Sequence, residues 1–597
     1  MKYPTLSVLE TGRDMIQAFG GYNHNLRIGD GEFYDMKNLT STHYPILSPR
    51  PKRGTYAPDE GETEIDPQGL ISKDSLGYVD GMDFVLNEHR IFLNLKLNQP
   101  KTLISMGAYV IILPDKKYVN TENINDYGSI EATWTQMYEE NVTFELCTIE
   151  GSVYEDVVTN EPTTPTDKQY WLDTSSKPNV LKQYSKTSAM WVTIPTTYIK
   201  ITAPNIANRF NQYDGVHIEG ILNESLSDLN SNMIIWAKKD GAGDDDETGD
   251  SSSYIVVTGI LDSKITQPGS DGRVSISRKM PEMDFITESE NRLWGCKYGP
   301  NENGDVVNEI YASKLGDFKN WNCFMGLSTD SYVASVGTDG QFTAAATHLG
   351  YPLFFKENCI HKVYGNYPAN YQIQTTSCRG VAKGSERSLA EVNEILYYKS
   401  RNGVCAYDGS LPTEISSALG DVSYSDAVAG CLGNKYYISM KDSTGEYNLF
   451  VYDTQRGMWH REDNTQVKQF CNCRGDLYYI DSGKHIKSIL GSKTKDKDPV
   501  SWMAETGIIG MEYPDKKYIS RLLVRMSLEI GARARFYIEY DSCGSWEYMC
   551  SITGTNLRSF AVPIKPKRCD HFRFKIEGEG DAKIFSIVKT TEQGSDI

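Results

Sequence analysis

The chain has 597 residues, 39% hydrophobic, 11% aromatic and 23% charged, with 50 glycines and twice as many tyrosines (38) as phenylalanines (19). This excludes a disordered chain, a collagen and a coiled coil, and fits half-buried strands joined by turns in a chain of about four domains. The formal charge, 61 − 79 = −18, excludes a general binder of nucleic-acid backbones, whose affinity rests on Lys and Arg displacing counterions, and suits a surface that DNA passes without sticking.

No run approaches the roughly 18–20 apolar residues of a membrane span. The opening MKYPTLSVLETGRDMIQAF carries Glu10, Arg13 and Asp14 where an export signal needs an apolar core. Synthesis in a cytoplasm is therefore expected. The 12 cysteines are read as buried free thiols of a reducing compartment.

Residues 1–60 are polar, Gly-rich and bounded by Pro45, Pro49 and Pro51. They are predicted to form an extended assembly arm, with Gly20, Gly21, Asn23, Asp30, Asn38, Arg50 and Arg53 as its candidate contact residues. Such an arm can cross neighbouring copies, supply a strand that closes the fold, or pack on its own subunit. Residues 61–124 hold hairpin-like pairs, GYVDGMDFVL (77–86) with HRIFL (89–93), then SMGAYVIIL (105–113).

From residue 286 to 491 a turn-plus-strand unit recurs: NRLWGC (291–296), GYPLFFK (350–356), NEILYYK (393–399), GNKYYIS (433–439) and GDLYYID (475–481). Each is followed by a partner strand, EIYAS, CIHKVY, GVCAYD, NLFVYD and KHIKSI in turn. The period is about 40 residues, the blade spacing of a β-propeller, in which sheets stack radially because one sheet cannot cover both its faces. Residues 61–124 are assigned to its first blade or blades.

Between 125 and 285 the pattern stops, and an inserted β-rich module is predicted. It contains a stiff EPTTPTD linker (161–167), a small meander YWLDTSSKPNVLKQYSKTSAMWVTI (170–194), a short helix over 203–212 and an acidic loop DGAGDDDETGDSSS (240–253) without calcium-loop spacing. Trp171 and Trp191 are either an aromatic platform for sugar or the core of a small module. Residues 492–597 alternate apolar and polar at period two and read as a C-terminal β-sandwich. The fold class is all-β.

Chemistry-bearing motifs are scarce. No P-loop, dinucleotide fingerprint, HExxH, GxSxG or metal-spaced Cys/His set occurs. Cys471 and Cys473 read as a same-side core pair, His460 in GMWHRED (457–463) as part of a surface hairpin rim, and Asp570-His571 as a local turn. No catalytic, cofactor-binding or metal residue is assigned, and no enzymatic activity is expected.

The opening FGGYNHNLRIGDGEFYDMKNLT (19–40) with YPILSPRPKRG (44–54) resembles the start of tail nozzle or stabilisation proteins of bacteriophages. EIYASKLGDFKNWN (309–322), DGQFTAAATHLGYPLFFKENCIHKVYG (339–365), LYYKSRNGVCAYDG (396–409) and FVYDTQRGMWHRED (450–463) are similar to virion propellers of phages and prophages of Gram-positive gut bacteria. The resemblance covers about residues 15–55, 75–120 and 285–490, and not the insertion. It implies a virion tail protein made in the host bacterial cytoplasm, in a homo-oligomeric ring of six copies. Its implied partners are other tail proteins, such as a portal-proximal adaptor ring and fibres, and genomic DNA passing through without specific binding. The alternatives are a tail-tip protein binding a host surface glycan and a tail-associated glycan hydrolase.

Overall fold

The computed structural model describes residues 11–56, 65–242, 252–301, 304–511 and 516–593. The acidic loop falls mainly on 243–251, outside the described residues. The described chain is nearly all strand.

The recurring hairpins form four-stranded meanders. Six run through consecutive strands: Pro67–Ser72 to His89–Phe92, Thr102–Met106 to Tyr127–Ser129, Phe285–Ser289 to Tyr332–Ser335, Phe342–His348 to Gln372–Ser377, Ala390–Val392 to Thr413–Glu414, and Tyr424–Leu432 to Met458–Arg461. A seventh, Val467–Cys473, Asp476–Asp481 and Ile486–Ser488, takes its fourth strand from Gly54–Thr55, far back in the chain.

The repeated Tyr-Tyr pairs follow from strand geometry. Consecutive side chains on a strand point to opposite faces, so each member of a pair fills a different seam. Tyr398 packs with Phe355 and Leu353 of the preceding meander, while Tyr397 shares a core with Tyr436 and Ile438 of the next. Tyr437 in turn meets Leu477 and Tyr479, and Tyr478 meets Leu70 and Tyr78. Elsewhere Ile111 and Tyr118 share a core with Leu293, Phe318 and Trp321.

The chain divides into two compact units, 1–103 with 340–362 and 375–597, and 104–339 with 363–374. In the second unit the insertion is narrower than 125–285. Tyr127–Ser129 completes one meander and Phe285–Ser289 opens the next. The inserted strands, Ala132–Thr135 to Ser275–Arg278, form a four-stranded and a five-stranded sheet around Phe144, Ile201, Ile218, Ile255 and Ile276. Residues 170–193 form a separate three-stranded sheet. The helix expected over 203–212 is absent: Ala203 and Pro204 close the strand Tyr198–Pro204, and Asn205, at φ 52, starts a series of turns. The resemblance motif GDFKNW has a packing role. Asn320 joins Asp317 (2.6 Å) to Asp214 (2.9 Å), and Asp214 pairs with the buried Arg278.

In the first unit the N-terminal segment is not an arm extended away from its subunit. Thr11–Ile16 pairs with Ala582–Gln593, and Glu32–Lys37 pairs with Ser501–Thr506. Gly21–Tyr22 joins Glu32–Lys37 to Met458–Arg461. One sheet therefore runs from the C-terminal strands, through the N-terminal ones, into the 424–461 meander. The C-terminal block is not self-contained, because its neighbours in the sheet come from the other end of the chain.

Its frame is the 24-residue strand Lys517–Tyr540. Glu547–Val562 lines one edge; Ala582–Gln593 and Phe572–Glu579 share the other. The register breaks between Leu528 and Arg533, beside Gly531 (φ 90) and Gly580 (φ 80), where glycine relieves the strain of a left-handed backbone. On either side of this corner, Val524, Met526, Ile584 and Phe536, Phe574, Ile576 share one core.

Candidate functional site

Three of the predicted contact residues meet in one buried cluster. Asn38 sits at φ 55. Its N–H donates to the Glu462 carbonyl (2.8 Å), its amide to the Ser501 carbonyl (2.8 Å), and its Oδ1 accepts from Arg50 Nε (2.7 Å). Arg53, 5% exposed, lies over the Tyr479 ring and donates to Glu462 (2.6 Å) and Thr465 (2.9 Å), with Asp463 at 3.0 Å. Arg50 reaches Asp463 at 3.4 Å. Burial works against the Arg53 charge, but Asp463, Tyr479 and Glu462 outweigh it and raise its pKa. Burial likewise works against the Asp463 carboxylate, and Arg53 and Thr465 hold it below its ordinary value. This cluster fastens the 38–53 segment to the loop following Met458–Arg461.

Next to it lies His460, read from sequence as part of a surface rim and in fact 3% exposed. The adjacent Trp459 and His460 are both buried, and Glu462 follows them inside, because Arg50 and Arg53 from a distant segment pair with Glu462 and Asp463. Burial and the nearby Lys435 push His460 from 6.5 down to about 3, and burial with Lys356 pushes the fully buried His361 down to about 4. Both rings are neutral in the fold, while the unfolded chain binds protons near 6.5. Their stabilising contribution is complete above pH 6.5 and is lost as pH falls toward the folded values. Thermal melts should show the midpoint falling from about pH 7 to about pH 5, with a shallower slope in His460→Asn. An unchanged slope would contradict the burial.

The other candidates lie apart from the cluster. Gly21 (φ 84) packs so closely that a Cβ would stand 2.4 Å from the Trp459 carbonyl oxygen, and Gly20 N–H donates to Gly31 (2.8 Å). The Asn23 amide donates to Glu32 (2.9 Å), and Asp30 pairs with Lys589 (3.1 Å).

Trp171 and Trp191 meet edge to face at 5.3 Å, as do Tyr184 and Trp191. Lys182 Nζ stands 4.6 Å from the Trp171 ring centre and pairs with Asp173 at 2.8 Å. Lys182 and Ser175 hold the Asp173 carboxyl at about 2. The rings thus pack on one another and under an ammonium group, not side by side as a flat shelf. Trp171→Ala should cost the three-stranded sheet about 2–3 kcal/mol, read as faster proteolysis within 154–194. Unchanged proteolysis would show that the ring supports nothing.

Sequence reasoning missed one constellation. Ser542 Oγ lies 2.7 Å from His571 Nε2, and His571 Nδ1 lies 2.8 Å from Asp570. Ser542 sits 29 positions from its partner, so no motif announces the set. Acyl transfer also needs N–H donors for the oxyanion. The next two amides are engaged elsewhere: Cys543 N–H donates to Tyr540 (3.2 Å) and Gly544 N–H to Glu539 (2.7 Å). Asp541 binds the 570–571 turn through Asp570 N–H (2.7 Å) and His571 N–H (3.3 Å). The arrangement ties two turns together.

A second unanticipated residue is Arg387. Its guanidinium donates to the carbonyls of Lys468 (3.0 Å) and Lys101 (3.4 Å), joining segments distant in sequence, and burial lowers its pKa. Gln469 similarly joins two strands, exchanging hydrogen bonds with the Leu70 backbone at 3.0 and 3.1 Å.

No protein-family model matches the chain, and no curated protein matches it. Among solved structures, an exo-β-1,3-galactanase from Phanerochaete chrysosporium is 8% identical, over 51% of this chain and 94% of that one, with TM-score 0.21. PorZ of the type-IX secretion system of Porphyromonas gingivalis is 11% identical, over 89% and 77%, with TM-score 0.24. Trypanosoma rangeli sialidase is 7% identical, over 89% and 96%, with TM-score 0.21. Likeness at this level carries no argument about activity.

Proposed function

We propose that the chain is a structural virion protein of a bacteriophage tail, a nozzle-like component repeated as a ring of six copies around the path of exiting DNA. The seven meanders are read as the blades of a β-propeller carrying one inserted module, with the bent C-terminal strands as a sandwich beside it. What supports the propeller is the packing on both sides of the 390–414, 424–461 and 467–488 meanders and the paired tyrosines that fill those seams.

The observation that carries the functional reading is the closing strand. Gly54–Thr55 completes the 467–488 sheet, so the chain's early and late segments hold one another in place. A block fixed in this way is suited to bearing load among copies of itself, and heterologous contacts between copies close into a ring under cyclic symmetry. In this reading the DNA path lies between copies. A net charge of −18 disfavours phosphate binding along that path.

The test is labelling of phage particles from a lysate of the encoding host with an antibody to this chain. Label at the tail in a fixed small copy number is the expected result; absence from particles would overturn the reading. A fluorophosphonate probe is expected to leave Ser542 unmodified. Labelling abolished by Ser542→Ala would replace a structural role with a hydrolytic one.

A further inference from the structure

We propose that copies of this chain join by continuing one β-sheet: the outer edge of Glu547–Val562 in one copy pairs with the outer edge of Thr11–Ile16 in the next. The inference deepens the proposed ring and rests on it.

Two strands end the C-terminal part of this sheet. Thr11–Ile16 pairs only with Ala582–Gln593, and Glu547–Val562 only with Lys517–Tyr540, so among the described residues each has one bare edge. A bare edge is a template for another chain, and soluble proteins usually blunt it with charge, proline or shortness. Glu547–Val562 has none of these defences. It is 16 residues long, reads EYMCSITGTNLRSFAV, and carries only Glu547 and Arg558 as charges. Most of its side chains are exposed or half-exposed, on both faces.

The directions fit one occupant. Each neighbouring pair in the series from Thr11–Ile16, through Ala582–Gln593 and Lys517–Tyr540, to Glu547–Val562 is antiparallel. The last strand therefore runs opposite to the first, and repeating the series across copies preserves antiparallel alternation. Such a contact is heterologous and can close as a ring.

The side chains fit as well. Ile16 lies opposite Ile587 and Arg558 opposite Met526, which puts Asp14 and Arg558 on the core side of the sheet. Met15 (56% exposed) and Leu557 (53% exposed) lie on the outer side. The antiparallel register that sets Leu557 against Met15 also sets Arg558 against Asp14. An apolar pair and an opposite-charge pair then fall on the faces where each already sits.

The test is cross-linking of the full chain carrying Met15→Cys and Leu557→Cys, with the exposed Cys543 changed to Ser. Mild oxidation should give a ladder of linked chains on non-reducing gels, at least about ten-fold above either single-cysteine variant if the pair adopts cross-strand spacing. Asp14→Arg should disperse the assembly in sedimentation, and adding Arg558→Asp should restore it. An assembly that forms without the ladder and ignores Asp14→Arg would overturn this edge pairing while leaving the ring intact. A chain that stays monomeric at every concentration would overturn both.

Discussion

Arg53→Met is expected to lower the free energy of unfolding by about 3–5 kcal/mol, the range for breaking a buried ion pair from one side. Glu462 is 3% exposed and would keep Arg50, at 3.6 Å, as its ion-pair partner, while Asp463 would lose its 3.0 Å contact. The loss arises from a carboxylate left uncompensated in a dry site. Pairing the change with Glu462→Leu should therefore return much of the stability, because apolar replacement of a buried pair is often near neutral. Denaturant melts of the wild type and both variants check this. A shift below about 1 kcal/mol for Arg53→Met would place the cluster in the range of solvated surface pairs.

Gly54→Ala is expected to be nearly as damaging. A Cβ at this position would stand 1.7 Å from the Thr494 carbonyl oxygen and 2.7 Å from Gly491 Cα, both backbone atoms that no rotamer can move. Overpacking of this kind costs about 1–3 kcal/mol or more, and here it falls on the two-residue strand that completes the 467–488 sheet. Hydrogen exchange should accelerate at Ile486–Ser488 and at Tyr56, whose N–H donates to the Ile486 carbonyl at 2.8 Å. Gly445→Ala (φ 94), with nothing near its Cβ, serves as a comparison, because it pays only the backbone term. Equal exchange at 486–488 in the two variants would show that the closing strand contributes little.

The strand content and the repeat were legible in the sequence because they are local. Turn residues, a strand of aromatics and a partner strand recur within about 40 residues, and the alternation of Lys517–Tyr540 matches its burial pattern nearly position by position. Partnership was much less legible. Gly54–Thr55 is too short to carry a strand signal, and its partner, Lys487–Ser488, is over 400 positions away. The sequence identified Asn38, Arg50 and Arg53 as functional candidates but gave no sign that they would share one buried site with Glu462 and Asp463. His460 was misjudged because charged neighbours imply a wet hairpin, whereas an ion pair with a distant segment lets such a stretch go inside. Ser542 and His571 came together through long-range topology: the turn after Lys517–Tyr540 meets the connection that crosses from Glu547–Val562, on one edge of that strand, to Phe572–Glu579 on the other.

Imaging of the purified full chain by electron microscopy, with its native mass measured in parallel, tests the central claim most directly. The account predicts closed rings of six blocks around an open centre, at six times the chain mass. A monodisperse monomer that releases sugar from host cell wall would contradict it.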